Sequence, residues 1–339
     1  MKKFTSGSEE YTEWYHDRSV IDYLNNSVQS FCAANNVGFT TGHHQNWISE
    51  SEKTLCYWTR EILTDRTQWH DVNLECKKSG KIVYVVTDNL GSMQDFECVK
   101  FFFKPEILVE WTAIDTPIET VAHSKRFSCF TQRVDPVRQS WFYFLVHHQL
   151  LNSGNISFWF DQTNDPEYAG LDPKQLIEYI HYNYNLDQLP HFDSAYLEIK
   201  DHIPYKNFKG DSIEHLIAES KFSLILETYA TDINSAIAVN EKTLRDIQFP
   251  SSPLLFSQQH TVFELEKHGF AFPGYMTSID QEPAWQIRQR MLLDILLDDP
   301  EVDFHECTVR AEQNRQAMRQ WMDKIYKQDY FDDVFSNIK

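Results

Sequence analysis

Between residues 126 and 280 the chain alternates short β-branched and aromatic runs with amphipathic helical stretches of about ten residues. Strands that alternate with helices of that length must pair in parallel, because each crossover returns the chain to the same end of the sheet. The runs are Phe127–Thr131, Ile156–Phe160, Phe222–Leu226 and Pro253–Phe256. Between and after them, helices are marked by their ends. Asp135-Pro136 supplies an N-cap and a first-turn proline, and that helix runs through Trp141, Leu145 and Leu150 to Gly154 as its stop. Ser212 opens a helix through Leu216, Glu241–Gln248 forms another ended by Pro250, and Thr261–His268 is closed by Gly269. Residues 161–211 interrupt this rhythm and receive no assignment. In such open sheets ligands bind beyond the carboxyl ends of the strands. That directs attention to the residues after Thr131, after Leu226 and before the helix at 241.

The rest of the chain is less regular. Residues 1–80 read as helix-rich, with Ser49 or Ser51 capping a helix to Leu63 that places Leu55, Trp58 and Ile62 on one face. Lys81–Thr87 (KIVYVVT) is a buried strand followed by a turn at Asp88, and Ile107–Trp111 is a second strand. A polar stretch with Pro117 sets a domain boundary near 125. Residues 282–339 read as helical, with Met291, Leu292, Ile295 and Leu296 in one stripe. The 339 residues suffice for roughly two average domains. The organisation expected is therefore an α/β unit over 1–125, a second over 126–280, and a helical extension over 281–339 that packs back on the first.

Composition narrows the chemistry. Ten glycines, and neither GxGxxG nor GxxxxGK[ST], exclude the usual glycine-rich phosphate loops. The net charge of −19 disfavours general nucleic-acid binding, since an acidic surface repels phosphate backbones. The six cysteines are scattered with no CxxC pair, which fits reduced thiols in a cytoplasmic protein better than a zinc ribbon or a disulfide scaffold. The basic start MKKF has no apolar run behind it, and no stretch reaches the length of a membrane span. There is no Asp-x-Asp clamp, and His147-His148 and His181 offer too few convergent groups for a metal, so metal use is not expected.

Three segments carry candidate chemistry. Arg133 and Arg138 flank a helix start, where a guanidinium fork and the helix N-terminus both suit a diphosphate, although Asp135 places an anion at the same end. A surface arginine pair capping a helix would read the same way. Glu227, followed by Thr228 and Tyr229, stands at the carboxyl end of a buried strand. Asn240-Glu241-Lys242-Thr243 opens a helix with a cap, a carboxylate for ribose or sugar hydroxyls, and an ammonium for phosphate; a solvated helix face has the same composition.

Taken in order, these segments resemble the donor-binding domain of fucosyltransferase-like glycosyltransferases, including members from bacterial polysaccharide clusters, large viruses and phages. In that group a strand leads into an Asn/Arg-rich turn with a following arginine, resembled here by Gln132-Arg133 and Arg138. A strand ending in glutamate is matched by Glu227, and a Thr-Glu-Lys-Thr helix start by Asn240-Glu241-Lys242-Thr243. SSPLLF…ELEKHGF is similar to a later strand, helix and Gly-Phe pair, and Gln313-Asn314-Arg315 to a helical His-Asn. Gln132, Asn240 and Gln258-Gln259-His260 depart from the group's usual Asn, Thr and glycine. The likeness covers about residues 126–320.

The resemblance implies the GT-B architecture, two Rossmann-like domains facing a cleft. It implies a metal-independent, inverting transfer from a UDP- or GDP-sugar to a glycan or glycoconjugate hydroxyl, in a bacterium or a virus-infected host cell. The nucleotide sugar would be a donor substrate, with no cofactor required. Arg133, Arg138, Tyr229, Asn240, Glu241 and Lys242 would hold the nucleotide, and Glu227 would serve both binding and catalysis. Asp88 in the first domain, with His43 or His44 behind it, would be the general base. Two other readings stay open: a glycosyltransferase acting on modified viral DNA bases, and a catalytically silent Rossmann-like binding protein.

Overall fold

The computed structural model describes residues 29–41, 51–57, 66–87, 96–103, 121–131, 135–160, 170–184, 194–202, 205–208, 212–227, 230–231, 237, 239–326 and 329–338. Over these residues it is an α/β protein with two sheets that are predominantly parallel, an arrangement compatible with a Rossmann-like fold.

The first sheet contains β1 (Gly38–Thr41), β2 (Lys53–Tyr57), β3 (Ile82–Thr87) and β4 (Val99–Phe103), in that spatial order and all parallel. Right-handed crossovers that always step in one direction lie on one face of a sheet. Helix α1 (Arg66–Ser79) and Phe96 occupy that face, where Cys76 packs with Cys56, Val83, Val85 and Val99. The opposite face, bearing Leu55 and Tyr84, can only be covered by chain outside the crossovers. Cys32 and Val37, which precede β1, cover it together with Val334 and Ile338 of the last helix, α11 (Asp329–Ile338). Phe31 stacks on Phe335 with ring centroids 3.7 Å apart, and the Lys53 ammonium donates to the Ile338 carbonyl. The N-terminal sheet is thus closed by the other end of the chain.

The second sheet runs β7-β6-β5-β8-β9: β5 (Lys125–Phe130), β6 (Gly154–Phe158), β7 (Tyr205–Lys206), β8 (Ser220–Leu226) and β9 (Ser252–Phe256). Only β7 is antiparallel. The chain leaves β5 toward β6 through α2 (Pro136–His147) and leaves β8 toward β9 through α6 (Glu241–Asp246). The order reverses between β5 and β8, and that is the topological switch point of the sheet.

Register assigns the two faces. Phe127, Phe222 and Ser252 stand in one row, and Ser128, Asn155 and Ser223 in the next. The Phe127 face takes α2, whose Trp141 meets Phe256 edge-on at 5.6 Å, and α9 (Trp285–Asp298). The Ser128 face takes α6 and α5 (Ile213–Ala218), through Asp246 accepting the Ser223 hydroxyl at 2.8 Å and the Leu216 carbonyl accepting from Asn155 at 3.3 Å. Leu292 and Leu296 of α9 and Met318 of α10 (Phe304–Tyr326) complete the second core. Asn314 of α10 is fully buried and stitches the helix down: its amide donates to the Ile247 and Ala271 carbonyls at 2.8 and 3.1 Å and accepts from the Ala271 N–H at 2.6 Å.

Several sequence expectations are corrected. The helix expected from Ser49 or Ser51 to Leu63 is overturned at β2, where Thr54, Leu55 and Cys56 are buried on both faces between β1 and β3; parallel pairing overrides the helical spacing of the apolar residues. Trp58 and Ile62 lie outside the described residues. Helix α2 stops at His147 rather than at Gly154. Gln149 adopts the left-handed conformation there (φ 57), a 3-10 turn spans Leu151–Ser153, and Gly154 begins β6. Its glycine identity answers to packing: a Cβ would lie 2.6 Å from the Phe127 ring. The unassigned stretch 161–211 supplies α3 (Pro173–Tyr184), α4 (Ser194–Lys200) and edge strand β7. The strand expected at Ile107–Trp111 lies outside the described residues. No helix among those described is long and apolar enough to cross a membrane.

Candidate functional site

The switch point is built from the ends of β5 and β8. Asp135 has an extended backbone, and its carboxylate caps α2 by accepting the Arg138 N–H at 2.8 Å. The Arg138 side chain, only 2% exposed, turns back under this cap. Its guanidinium lies 3.5 Å from the other Asp135 oxygen and donates to the Leu226 carbonyl, the last of β8, at 3.1 Å. One arginine therefore ties the start of α2 to the end of the neighbouring strand across the point where the topology reverses.

Glu227 follows Leu226 and is 4% exposed. Its Oε1 accepts the Asn240 N–H at 3.1 Å and the Thr243 hydroxyl. Asn240 in turn caps α6 by accepting the Lys242 N–H at 2.9 Å. The glutamate thus anchors the N-terminus of α6, and α6 carries the half-buried Lys242 toward the same place. Burial pushes the Glu227 carboxyl up to about 7, against the opposing pull of the Thr243 and Asn240 hydrogen bonds. Burial brings the Lys242 ammonium down to about 8, with the nearby positive charge of Arg138 acting in the same direction and Glu241 and Glu227 opposing it. Burial also raises Asp135 above the usual carboxylate range, partly offset by Arg138. Desolvated cations beside a carboxyl that readily holds a proton make a place where an incoming anion would be compensated.

Of the sequence candidates, Arg138, Glu227, Asn240, Glu241 and Lys242 come together at this edge. Arg133, Tyr229 and Asp88, with His43 and His44, lie outside the described residues. The geometry alters the expected division of labour. Asn240 is a helix cap, and Arg138 is already engaged with Asp135 and Leu226, so Lys242 is the residue of the set best placed to meet a ligand.

Sequence reasoning missed the residues that shape the loop after β9. Asp280 of α8 (Gly274–Gln281) accepts the Val262 and Phe263 N–H groups at 3.0 and 3.1 Å, filling the start of α7 (Thr261–Lys267) with the chain's own carboxylate. Arg288 on α9 donates to the Ser257 and Ala230 carbonyls at 3.2 and 2.9 Å, and to those of Glu282 and Pro283. No local pattern marks either residue, because Asp280 acts on N–H groups 17 and 18 positions away and Arg288 reaches the Ala230 carbonyl 58 positions away. Among the described residues no group of three or more His, Cys, Asp or Glu side chains is placed to hold a metal.

Comparison with protein-family models, with curated proteins and with solved structures gives no match.

Proposed function

We propose that this chain is a glycosyltransferase that moves a sugar from a nucleoside diphosphate sugar to a hydroxyl of a glycan or glycoconjugate. The observation that carries the reading is the convergence of Arg138, Lys242 and Glu227 at the switch point between β5 and β8, where ligands of open α/β sheets bind. The fucosyltransferase-like order of these residues supports it. So does α11, which returns from the second half to the first sheet, as the GT-B reading with two facing Rossmann-like domains requires.

In this reading Lys242 neutralises charge developing on the departing diphosphate, and Arg138 holds the strand and helix ends rigid behind it. Glu241 addresses ribose or sugar hydroxyls. Asp88, in the first half, takes the proton of the acceptor hydroxyl as its oxygen attacks the anomeric carbon and the carbon–phosphate-oxygen bond breaks, with inversion and without a metal. The protein acts in the cytoplasm on a UDP- or GDP-sugar.

A thermal-shift screen of UDP-, GDP- and CMP-sugars tests the reading. A bound donor at a hundredfold excess over Kd adds about 2.7 kcal/mol of stability. A cognate donor should raise the melting temperature and then be consumed in the presence of an acceptor. A screen in which no nucleotide sugar shifts the transition would overturn the reading.

A further inference from the structure

The face of the first sheet that α1 covers holds two cysteines of opposite accessibility. Cys76 of α1 is fully buried among Cys56, Val83, Val85 and Val99. Cys98, just before β4, packs against the same cluster but keeps part of its surface open, between the exposed Glu97 and the buried Val99. The segments that carry them are bonded to each other. The Asn73 side chain of α1 accepts the Cys98 N–H at 2.8 Å, and the Lys77 ammonium meets the Glu97 carboxylate at 2.6 Å. Residues three and four apart share a helix face, so Asn73, Cys76 and Lys77 present one surface to residues 97 and 98.

Both cysteine backbones are pinned. The Cys98 carbonyl accepts the Val83 N–H at 2.8 Å, and the Cys76 carbonyl accepts the Lys81 N–H at 2.9 Å. Burial pushes the Cys76 thiol up to about 11, and the neighbouring Cys98 acts in the same direction. With no open surface, Cys76 does not meet a reagent from solution; Cys98 does.

We propose that Cys98 and Cys76 form a thiol–disulfide exchange site, at which Cys98 takes up a low-molecular-weight disulfide such as glutathione disulfide and Cys76 resolves it. In the first step the Cys98 sulfur attacks one sulfur of the reagent. The reagent's S–S bond breaks, and one thiol leaves with the proton that Cys98 gives up. In the second step the Cys76 sulfur attacks the Cys98 sulfur of the mixed disulfide. That bond breaks, and the second thiol leaves with the proton of Cys76. The protein loses two hydrogens and two electrons, and the reagent gains both. The pinned backbones hold the resolving sulfur beside the mixed disulfide, which offsets the small thiolate fraction of a buried thiol. Capping Cys98 also removes the charge that opposes ionisation of Cys76. The bond staples the last turn of α1 to the start of β4 and closes the apolar cluster on that side. The site is independent of the nucleotide reading.

The test is incubation of the full chain with glutathione disulfide under native conditions, followed by thiol alkylation, intact mass and peptide mapping. The native protein should lose two of its six free thiols, retain no glutathione, and give a linked peptide pair containing Cys76 and Cys98. Dithiothreitol should reverse the change, and the linked protein should melt above the reduced one. Cys76→Ala, which keeps a small apolar group in the core, should stop with one glutathione on Cys98. Cys98→Ser, at a partly open position, should keep all its remaining thiols. The exchange site is overturned if the native protein keeps all its thiols, stops at the glutathione adduct, or links Cys98 to Cys56. It is equally overturned if Cys98→Ser loses thiols as fast as the native protein. The map of the native protein decides by itself should Cys76→Ala fail to fold.

Discussion

Arg138 donates to the main-chain carbonyl of Leu226 at 3.1 Å, across 88 positions of sequence. The bond fixes the start of α2 against the end of β8, beside the candidate site. Because both partners are buried, the contact sets geometry and local field together, and the arginine's charge reaches Lys242.

Lys242 is the most direct test of the site. If its ammonium meets phosphate, Lys242→Ala should weaken binding of the cognate nucleoside diphosphate by ~1.5–3 kcal/mol, the usual worth of a charge-assisted hydrogen bond. Titration calorimetry reads this. Unchanged affinity for that nucleotide would remove Lys242 from the site.

Glu227 makes stability depend on pH. Its folded carboxyl is raised to about 7, above its unfolded value, so the folded protein holds a proton that the unfolded chain has released. Its contribution is full below the unfolded value and is lost as pH rises from ~4.5 toward 7. Glu227→Gln, which keeps an oxygen for the Asn240 N–H and the Thr243 hydroxyl, should flatten that fall and melt above the native protein at pH 8. Melting curves from pH 5 to 8 check this; parallel curves for the two proteins would contradict it.

Asn314 satisfies three main-chain groups from a fully buried position. Asn314→Ala would leave the Ala271 N–H and two carbonyls without this partner and should cost ~2–4 kcal/mol in urea unfolding. Asn314→Asp keeps an acceptor but loses both donors, so it should also destabilise, and more at pH 8 than at pH 4.

Gly154 lies against Phe127 in the core of the second sheet. Gly154→Ala places a methyl 2.6 Å from that buried ring and should cost ~1–3 kcal/mol through overpacking. Unfolding that matches the native protein would show that the ring yields freely.

Helix α11 closes one face of the first sheet. Val334→Asp puts a carboxylate among Leu55, Tyr84 and Cys32 and should destabilise by ~3 kcal/mol or more. Hydrogen exchange should show the loss of protection concentrated in β1 and β2. Uniform loss across both sheets would mean that the two cores unfold as one unit.

The sequence alone determined the local elements of the second half. Asp135-Pro136, Ser212 and Asn240 cap helices where their side chains can reach the first-turn N–H groups, and runs such as FSLIL are apolar enough to be buried on both faces. These are short-range effects, so a window of residues contains them. Glu227 and Lys242 stood out for the same reason, one following a strand and the other opening a helix. Only the tertiary structure decided that KTLCY is a strand, since its burial comes from neighbours on either side. It also decided that the sheet reverses between β5 and β8, that Arg138 faces inward to Leu226, and that Val334 covers Leu55. The proton affinities of Glu227 and Lys242 belong to the same class. They follow chiefly from how much water is excluded around each group, and that depends on chain brought in from distant positions.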